Sequence, residues 1–239
     1  MSSQSLTYEA DGASMVGRLH LPAGAGKAPG LLVAHESPGI TGHTIAISER
    51  LAARGYVVLT VDYQGGGQVV TDRQEMTRRF QRFMSDPAFI RARMGAALAA
   101  LLTSDRVDPD RVGALGYCYG GTAVLELARS GADLKAVAGF HCGLTTARPQ
   151  DAAAIKGRVL AAIGADDPVV PAEQRAAFEQ EMTAAGVDWR LAVYGGTGHS
   201  FTNPEADGWG MPGFAYSASA DQRSWRAMLD LLDEAMGAP

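Results

Sequence analysis

Read from the amino terminus, hydrophobic and polar residues alternate twice in succession, across SLTYEA and MVGRLHLP, with Asp11-Gly12 between the two stretches. A period of two marks a half-buried strand, and Asp-Gly is a strong two-residue hairpin turn. The chain is therefore predicted to open with a β-hairpin. After the loop AGAGKAPG the pattern changes to GLLVAH, a short unbroken apolar run bounded by turn residues. Such a run reads as a strand covered on both faces. A helix over residues 44–54, closed by Gly55, and a second buried run, YVVLTVDY, follow it. Strand, helix, strand in that order predicts a parallel crossover unit.

Residues 64–87 are less regular. Three glycines lead into TDRQEMTRRFQRFM, whose charges leave a helix only a thin apolar face, and the segment is expected to form a cap. A longer helix over residues 88–104 should stop before Val107-Asp108-Pro109, since proline disfavours helix in the residue before it. The strands RVGALGY, LKAVAGF, GRVLAAIG and DWRLAVY then alternate with the helices CYGGTAVLELARS and AEQRAAFEQEMTAAG, and ADQRSWRAMLDLLDEAM closes the chain as an amphipathic helix. The predicted class is α/β, a doubly wound sheet of about eight strands, mainly parallel after the hairpin, with residues 1–239 forming one domain. Residues 203–219 form a long glycine-rich stretch carrying Trp209, Met211, Phe214 and Tyr216. It is expected to line a pocket or contact a second copy, the alternative being a packed surface loop.

Composition narrows the function classes. With 46% hydrophobic and 20% charged residues the chain has an ordinary globular make-up. A formal charge of −5 without any basic run argues against a nucleic-acid partner. The opening MSSQSLTYEADG has neither the cationic nor the apolar region of a secretion signal, and no stretch is apolar enough to span a bilayer. A cytoplasmic location, without a membrane partner, is the expectation. The two cysteines, Cys118 and Cys142, are too few for a disulfide framework and lack the paired spacing of a zinc site. Neither metal nor organic cofactor is expected.

The sharpest local feature is Gly116-Tyr117-Cys118-Tyr119-Gly120-Gly121, set between a strand and a helix. This is the nucleophile-elbow pattern G-x-S-x-G with cysteine in the serine position. Its glycines are required because the nucleophile occupies a strained strand-to-helix turn. The helix N-terminus favours negative charge on sulfur, and the next backbone N–H, on Tyr119, points where an oxyanion would form. Two further residues follow in the chain order expected of such a site. Asp167 lies in GADDP just past GRVLAAIG, and His199 lies in GTGHSF past the next strand. Asp166 is the rival acid; Asp167 is preferred because Pro168 fixes the chain directly after it. Of the other histidines, His20 and His43 read as structural or solvent-facing, His35 precedes Glu36 at a strand end, and His141 follows a strand and could approach substrate.

The elements VAHESPG, GYCYGG, GADDPVVP and GTGHSF, in this order, resemble the dienelactone hydrolase family, and the similarity runs from the first strand to the last helix. The resemblance implies an α/β-hydrolase sheet and a Cys118–His199–Asp167 triad that cleaves a small ester or lactone through a cysteinyl acyl-enzyme. It also implies that Glu36 hydrogen-bonds the resting thiol and takes its proton when substrate arrives, with the oxyanion between the N–H groups of Ser37 and Tyr119. Two departures bear on substrate. Family members carry an arginine four residues after the histidine and another before the cap, which together hold a substrate carboxylate. Here Asn203 occupies the first position and Gln64-Gly65-Gly66-Gly67 the second. Arg78, Arg79 and Arg82 of the cap are alternative cations. Asn203, Trp209 and His141 are the candidate substrate contacts. The expected partner is a small-molecule ester or lactone bound to a monomer or homodimer. A non-catalytic ligand-binding protein on the same fold is the runner-up, and a redox protein pairing Cys118 with Cys142 ranks last.

Overall fold

The computed structural model describes residues 2–239, the side chains of Arg73 and Met84 left aside. Strands β1 (Ser2–Ala10) and β2 (Ala13–Leu21) form the antiparallel hairpin, with Ala10 opposite Ala13. Asp11 and Gly12 take φ of 52° and 71°, the two left-handed positions that a tight hairpin turn matching strand twist demands. The remaining elements run β3 (Ala28–Ala34), α1 (Gly42–Ala53), β4 (Val57–Val61), α2 (Arg73–Ser85), α3 (Pro87–Leu102), β5 (Val107–Tyr117), α4 (Tyr119–Arg129), β6 (Ala136–Phe140), β7 (Arg158–Gly164), α5 (Ala172–Ala184), β8 (Trp189–Tyr194) and α6 (Ala218–Met236).

The eight strands lie in one sheet in the order β1-β2-β4-β3-β5-β6-β7-β8, parallel from β4 to β8. Apolar residues along β3 alternate between two cores. Leu31 and Val33 pack with Ile47 and Leu51 of α1 and Met228, Leu231 and Leu232 of α6, whereas Leu32 and Ala34 join Met94 and Ala97 of α3 and Val124 and Leu127 of α4. Two buried faces explain why the central strands are continuously apolar rather than alternating. From β3 the chain winds outward to β4 and then returns to β5 on the other side. The carboxyl ends of β3 and β5 therefore flank a topological switch point, where the loops leave a crevice.

Three details differ from the sequence expectation. Helix α1 starts at Gly42, two residues early, which places His43 in its first turn beside the end of β3. Strand β5 includes Pro109, because its pairing with β3 slips between Pro29 and Gly30, so that Asp108 and Val112 face consecutive partners. In that bulge the missing proline N–H breaks no ladder bond. Residues 204–208 form a 3₁₀ turn whose first free N–H, on Glu205, is capped by the Asn203 side chain. No helix among the described residues is long and apolar enough to cross a membrane.

Candidate active site

Cys118 joins β5 to α4 with φ 52° and ψ −120°, a conformation that L-residues adopt only under constraint. The glycines make the turn possible. A Cβ on Gly116 would sit 2.1 Å from the Gly120 carbonyl oxygen, and one on Gly120 would sit 2.4 Å from that of Ala34. The turn lifts the half-buried Cys118 to the N-terminus of α4, where the Tyr119 N–H, the first of the helix, has no carbonyl one turn earlier.

The sulfur lies 3.2 Å from His199 Nε2, and His199 Nδ1 lies 2.8 Å from Asp167 Oδ2. Asp167 is buried, and its other oxygen accepts the Val169 N–H at 2.8 Å, whereas the neighbouring Asp166 is exposed. Burial by itself would pull the His199 imidazole down. The charge interaction with Cys118 at Nε2 and the Asp167 hydrogen bond outweigh it and hold the ring up to about 10. The long loop after β8 grips this histidine. The His199 N–H donates to the Gly213 carbonyl at 2.8 Å, the Ala215 N–H donates to the His199 carbonyl at 3.2 Å, and the Phe214 ring lies 4.7 Å from the imidazole. The loop thus backs the histidine, and Trp209 within it is half-buried.

Glu36 and Ser37 follow β3. The expectation that Glu36 bonds the thiol is corrected by its partners: Oε2 accepts from Asn203 Nδ2 at 2.6 Å and faces His43 Nδ1 at 3.2 Å, while buried Oε1 has no partner. The sulfur instead has His199 and, at 3.9 Å, the Ser37 hydroxyl. His43 also donates from Nε2 to the Thr202 carbonyl at 2.9 Å. Both of its nitrogens face oxygen. This histidine, read from sequence as structural or solvent-facing, holds the site's second acid. Nothing in the local sequence signals that, because its partners lie in a different loop and at the end of a different strand.

His141 and Asn203, two of the candidate substrate contacts, are both engaged within the protein. His141 is fully buried; its Nδ1 accepts the Cys118 N–H at 3.2 Å and its Nε2 donates to Thr202 Oγ1 at 2.8 Å. Burial, with His199 and His43 nearby, lowers its pKa well below the ordinary histidine range, consistent with a neutral ring that accepts at Nδ1. Asn203 is spent on Glu36 and on capping the turn after it. The cap arginines are committed as well. Arg78 and Arg79 pair with Glu75, Arg79 also reaches Gln64 Oε1 at 3.2 Å, and Arg82 lies over the Phe89 ring. Three exposed apolar side chains adjoin the site: Val69 beside the Ser37–Gly39 turn, Phe80 edge-on to Tyr119, and Val169 two residues past Asp167. Among the described residues no three His, Cys, Asp or Glu side chains converge as metal ligands would.

A chain with this elbow, acid and histidine order also matches the model of the dienelactone hydrolase family, over residues 15–236. The chain belongs to that family. It is a hydrolase of the ester or lactone type. A solved structure described as m3DLH is 41% identical, covers 98% of both chains and superposes with a TM-score of 0.95. A dienelactone hydrolase-like promiscuous phosphotriesterase from metagenomic libraries is 38% identical, covers 99% of both chains and superposes at 0.94. Among curated relatives, an uncharacterized Caenorhabditis elegans protein is 36% identical over 61% of this chain and 94% of its own length. A Synechocystis protein provisionally named carboxymethylenebutenolidase is 27% identical over 91% and 90%.

Proposed function

We propose that this dienelactone hydrolase family member cleaves small neutral carboxylic esters or lactones through an acyl-enzyme on Cys118. The observation that carries this reading is the single line of contacts from Asp167 Oδ2 through His199 to the Cys118 sulfur, 2.8 Å and 3.2 Å long, at a strained elbow opening onto a helix N-terminus. In the resting site the thiol proton resides on His199 Nε2. The thiolate adds to the substrate carbonyl, and the resulting oxyanion is held by the Tyr119 and Ser37 N–H groups. Collapse breaks the ester C–O bond, and the departing alkoxide takes the proton from His199 Nε2. The now neutral His199 removes a proton from water as the water attacks the thioester. Collapse of that second intermediate releases the carboxylic acid and restores the thiolate–imidazolium pair. Glu36, held by His43 and Asn203, supplies no proton acceptor in this sequence; the imidazole does.

The preference for neutral substrates is supported by the engagement of the cap arginines and the apolar margin of the site. Arg78 and Arg79 are paired to Glu75 and Arg82 lies on Phe89, while Val69, Phe80 and Val169 leave an apolar margin. A second reading, attack of the same thiolate on a neutral phosphotriester, is favoured by the phosphotriesterase that superposes over nearly the whole chain. The test is a panel of matched neutral and carboxylate-bearing aryl esters and lactones, with a neutral aryl phosphotriester alongside, assayed on wild type and Cys118→Ala. Neutral members should match or exceed charged ones in kcat/KM, and all turnover should vanish in the alanine variant. A strong preference for the charged members that disappears in Arg79→Ala would assign the cap a carboxylate-binding role instead.

A further inference from the structure

The Ser37 N–H is one of the two donors assigned to the oxyanion, and its direction is set by the plane of the Glu36–Ser37 peptide. In a trans peptide the carbonyl and the N–H point opposite ways, so whatever holds the Glu36 carbonyl also aims the Ser37 N–H. His35 Nδ1 lies 2.6 Å from that carbonyl oxygen. Because a carbonyl only accepts, the ring is protonated at Nδ1, and Nε2 is left buried without a partner. Burial keeps the imidazole neutral, lowering its pKa to about 4. The ring is itself fixed. It stacks on Tyr63 with centroids 4.0 Å apart, and the Tyr63 hydroxyl donates to the His35 carbonyl at 2.8 Å. The Gly39 N–H makes a second bond to the Glu36 carbonyl at 3.1 Å.

The next peptide is held from the other side. The Ser37 carbonyl accepts Gln64 Nε2 at 2.6 Å; Pro38 follows and has no N–H to hold it otherwise. Gln64 is anchored in turn: its N–H donates to Asp62 Oδ1 at 3.0 Å, its carbonyl accepts from Arg93 at 2.8 Å, and its side-chain oxygen meets Arg79 of the cap helix at 3.2 Å. Two side chains from separate parts of the chain thus hold the peptides on either side of Ser37. His35 is fully buried and touches neither the sulfur nor open space, so its part in the reaction is exerted through the backbone.

We propose that His35 and Gln64 are positioning residues that together aim the Ser37 N–H at the oxyanion, His35 through the Glu36 carbonyl and Gln64 through the Ser37 carbonyl. The inference rests on the acyl-enzyme reading above. An Asn side chain can place an amide N–H where Nδ1–H stands, whereas Leu cannot. His35→Leu, His35→Asn, Gln64→Leu and wild type are compared by three readouts. The first is the kcat and KM for p-nitrophenyl acetate. The second is the near-ultraviolet band of the cinnamoyl thioester formed on Cys118 from an activated cinnamoyl ester, which moves to longer wavelength when its carbonyl is hydrogen-bonded. The third is the rate of Cys118 alkylation by iodoacetamide, a reaction with no oxyanion.

The two leucine variants should lose about 10- to 100-fold in kcat, less than outright removal of an oxyanion donor because the N–H is displaced rather than lost, with KM little changed. Their cinnamoyl band should move to shorter wavelength and their alkylation rate should hold. His35→Asn should recover most of both losses. If the band stays in place in the leucine variants, or alkylation falls in step with ester turnover, the positioning role is overturned while the acyl-enzyme stands. If wild type forms no cinnamoyl adduct on Cys118, the acyl-enzyme reading falls and the positioning role with it.

Discussion

Two adjacent carboxylates, Asp166 and Asp167, share one turn after β7 and meet different fates. Asp167 is buried and bonded to His199, whereas Asp166 is exposed. An amide in place of the first would favour the wrong imidazole tautomer. Asp167→Asn should therefore lower kcat by up to about ten-thousand-fold, with Asp166→Asn close to wild type, both read from steady-state kinetics. On the proposed mechanism, the contacts of His199 also imply a pH dependence. With the His199 ring held up to about 10, its proton is available to the leaving alkoxide at every lower pH and is lost above that value. The kcat/KM profile, which reports the free enzyme, should accordingly fall as pH rises through about 10. Removing the thiolate in Cys118→Ala takes away a charge that opposes burial. The His199 ring resonance should then titrate at lower pH, as measured by nuclear magnetic resonance. An unmoved titration would mean that the sulfur carries no charge in the resting site. The sequence exposed these residues because each follows a recognisable strand. It hid the partners of Glu36, since His43 and Asn203 reach it only through tertiary contact, 7 and 167 residues away.

At the scale of single elements, the elbow is the feature whose geometry leaves least freedom. A methyl group at Gly116 would meet the Gly120 backbone, which cannot yield without unwinding the start of α4. Gly186, just past α5, has a φ of +70° but open space around its Cβ position. Gly116→Ala should cost about 3 kcal/mol or more through backbone overlap, whereas Gly186→Ala should cost only the left-handed penalty of about 1–2 kcal/mol. Midpoints of urea unfolding separate the two, and equal losses would deny the elbow its steric basis. The hairpin, the crossover strands and the closing helix were legible because their apolar periods are strong and their turns carry Asp-Gly, Gly or Pro. The Pro109 bulge was not, since a proline inside a strand reads as a break until the slipped partner strand is seen. The loop over residues 203–219 was legible as a pocket-lining segment, since Asn203, Pro204, Glu205 and Tyr216 line a cavity, but its backbone bonds to His199 leave no side-chain pattern and were not.

Across the whole molecule, the sheet gathers Glu36 and Ser37 from the end of β3, Cys118 from β5, Asp167 from β7 and His199 from β8 into the crevice at one edge of the parallel strands. Asn203 and His43 hold Glu36 beside these residues, and Arg78, Arg79 and Arg82 of the cap are engaged with Glu75 and Phe89. The central claim is the covalent intermediate on Cys118, and trapping it tests that claim most directly. Wild-type protein mixed with a slowly deacylating aryl ester, quenched in acid and measured by intact-mass and peptide mass spectrometry, should gain the mass of one acyl group on the peptide containing Cys118. The Cys118→Ala protein should gain none. Full turnover without any acyl mass on Cys118, or an equal adduct in the alanine variant, would contradict the account.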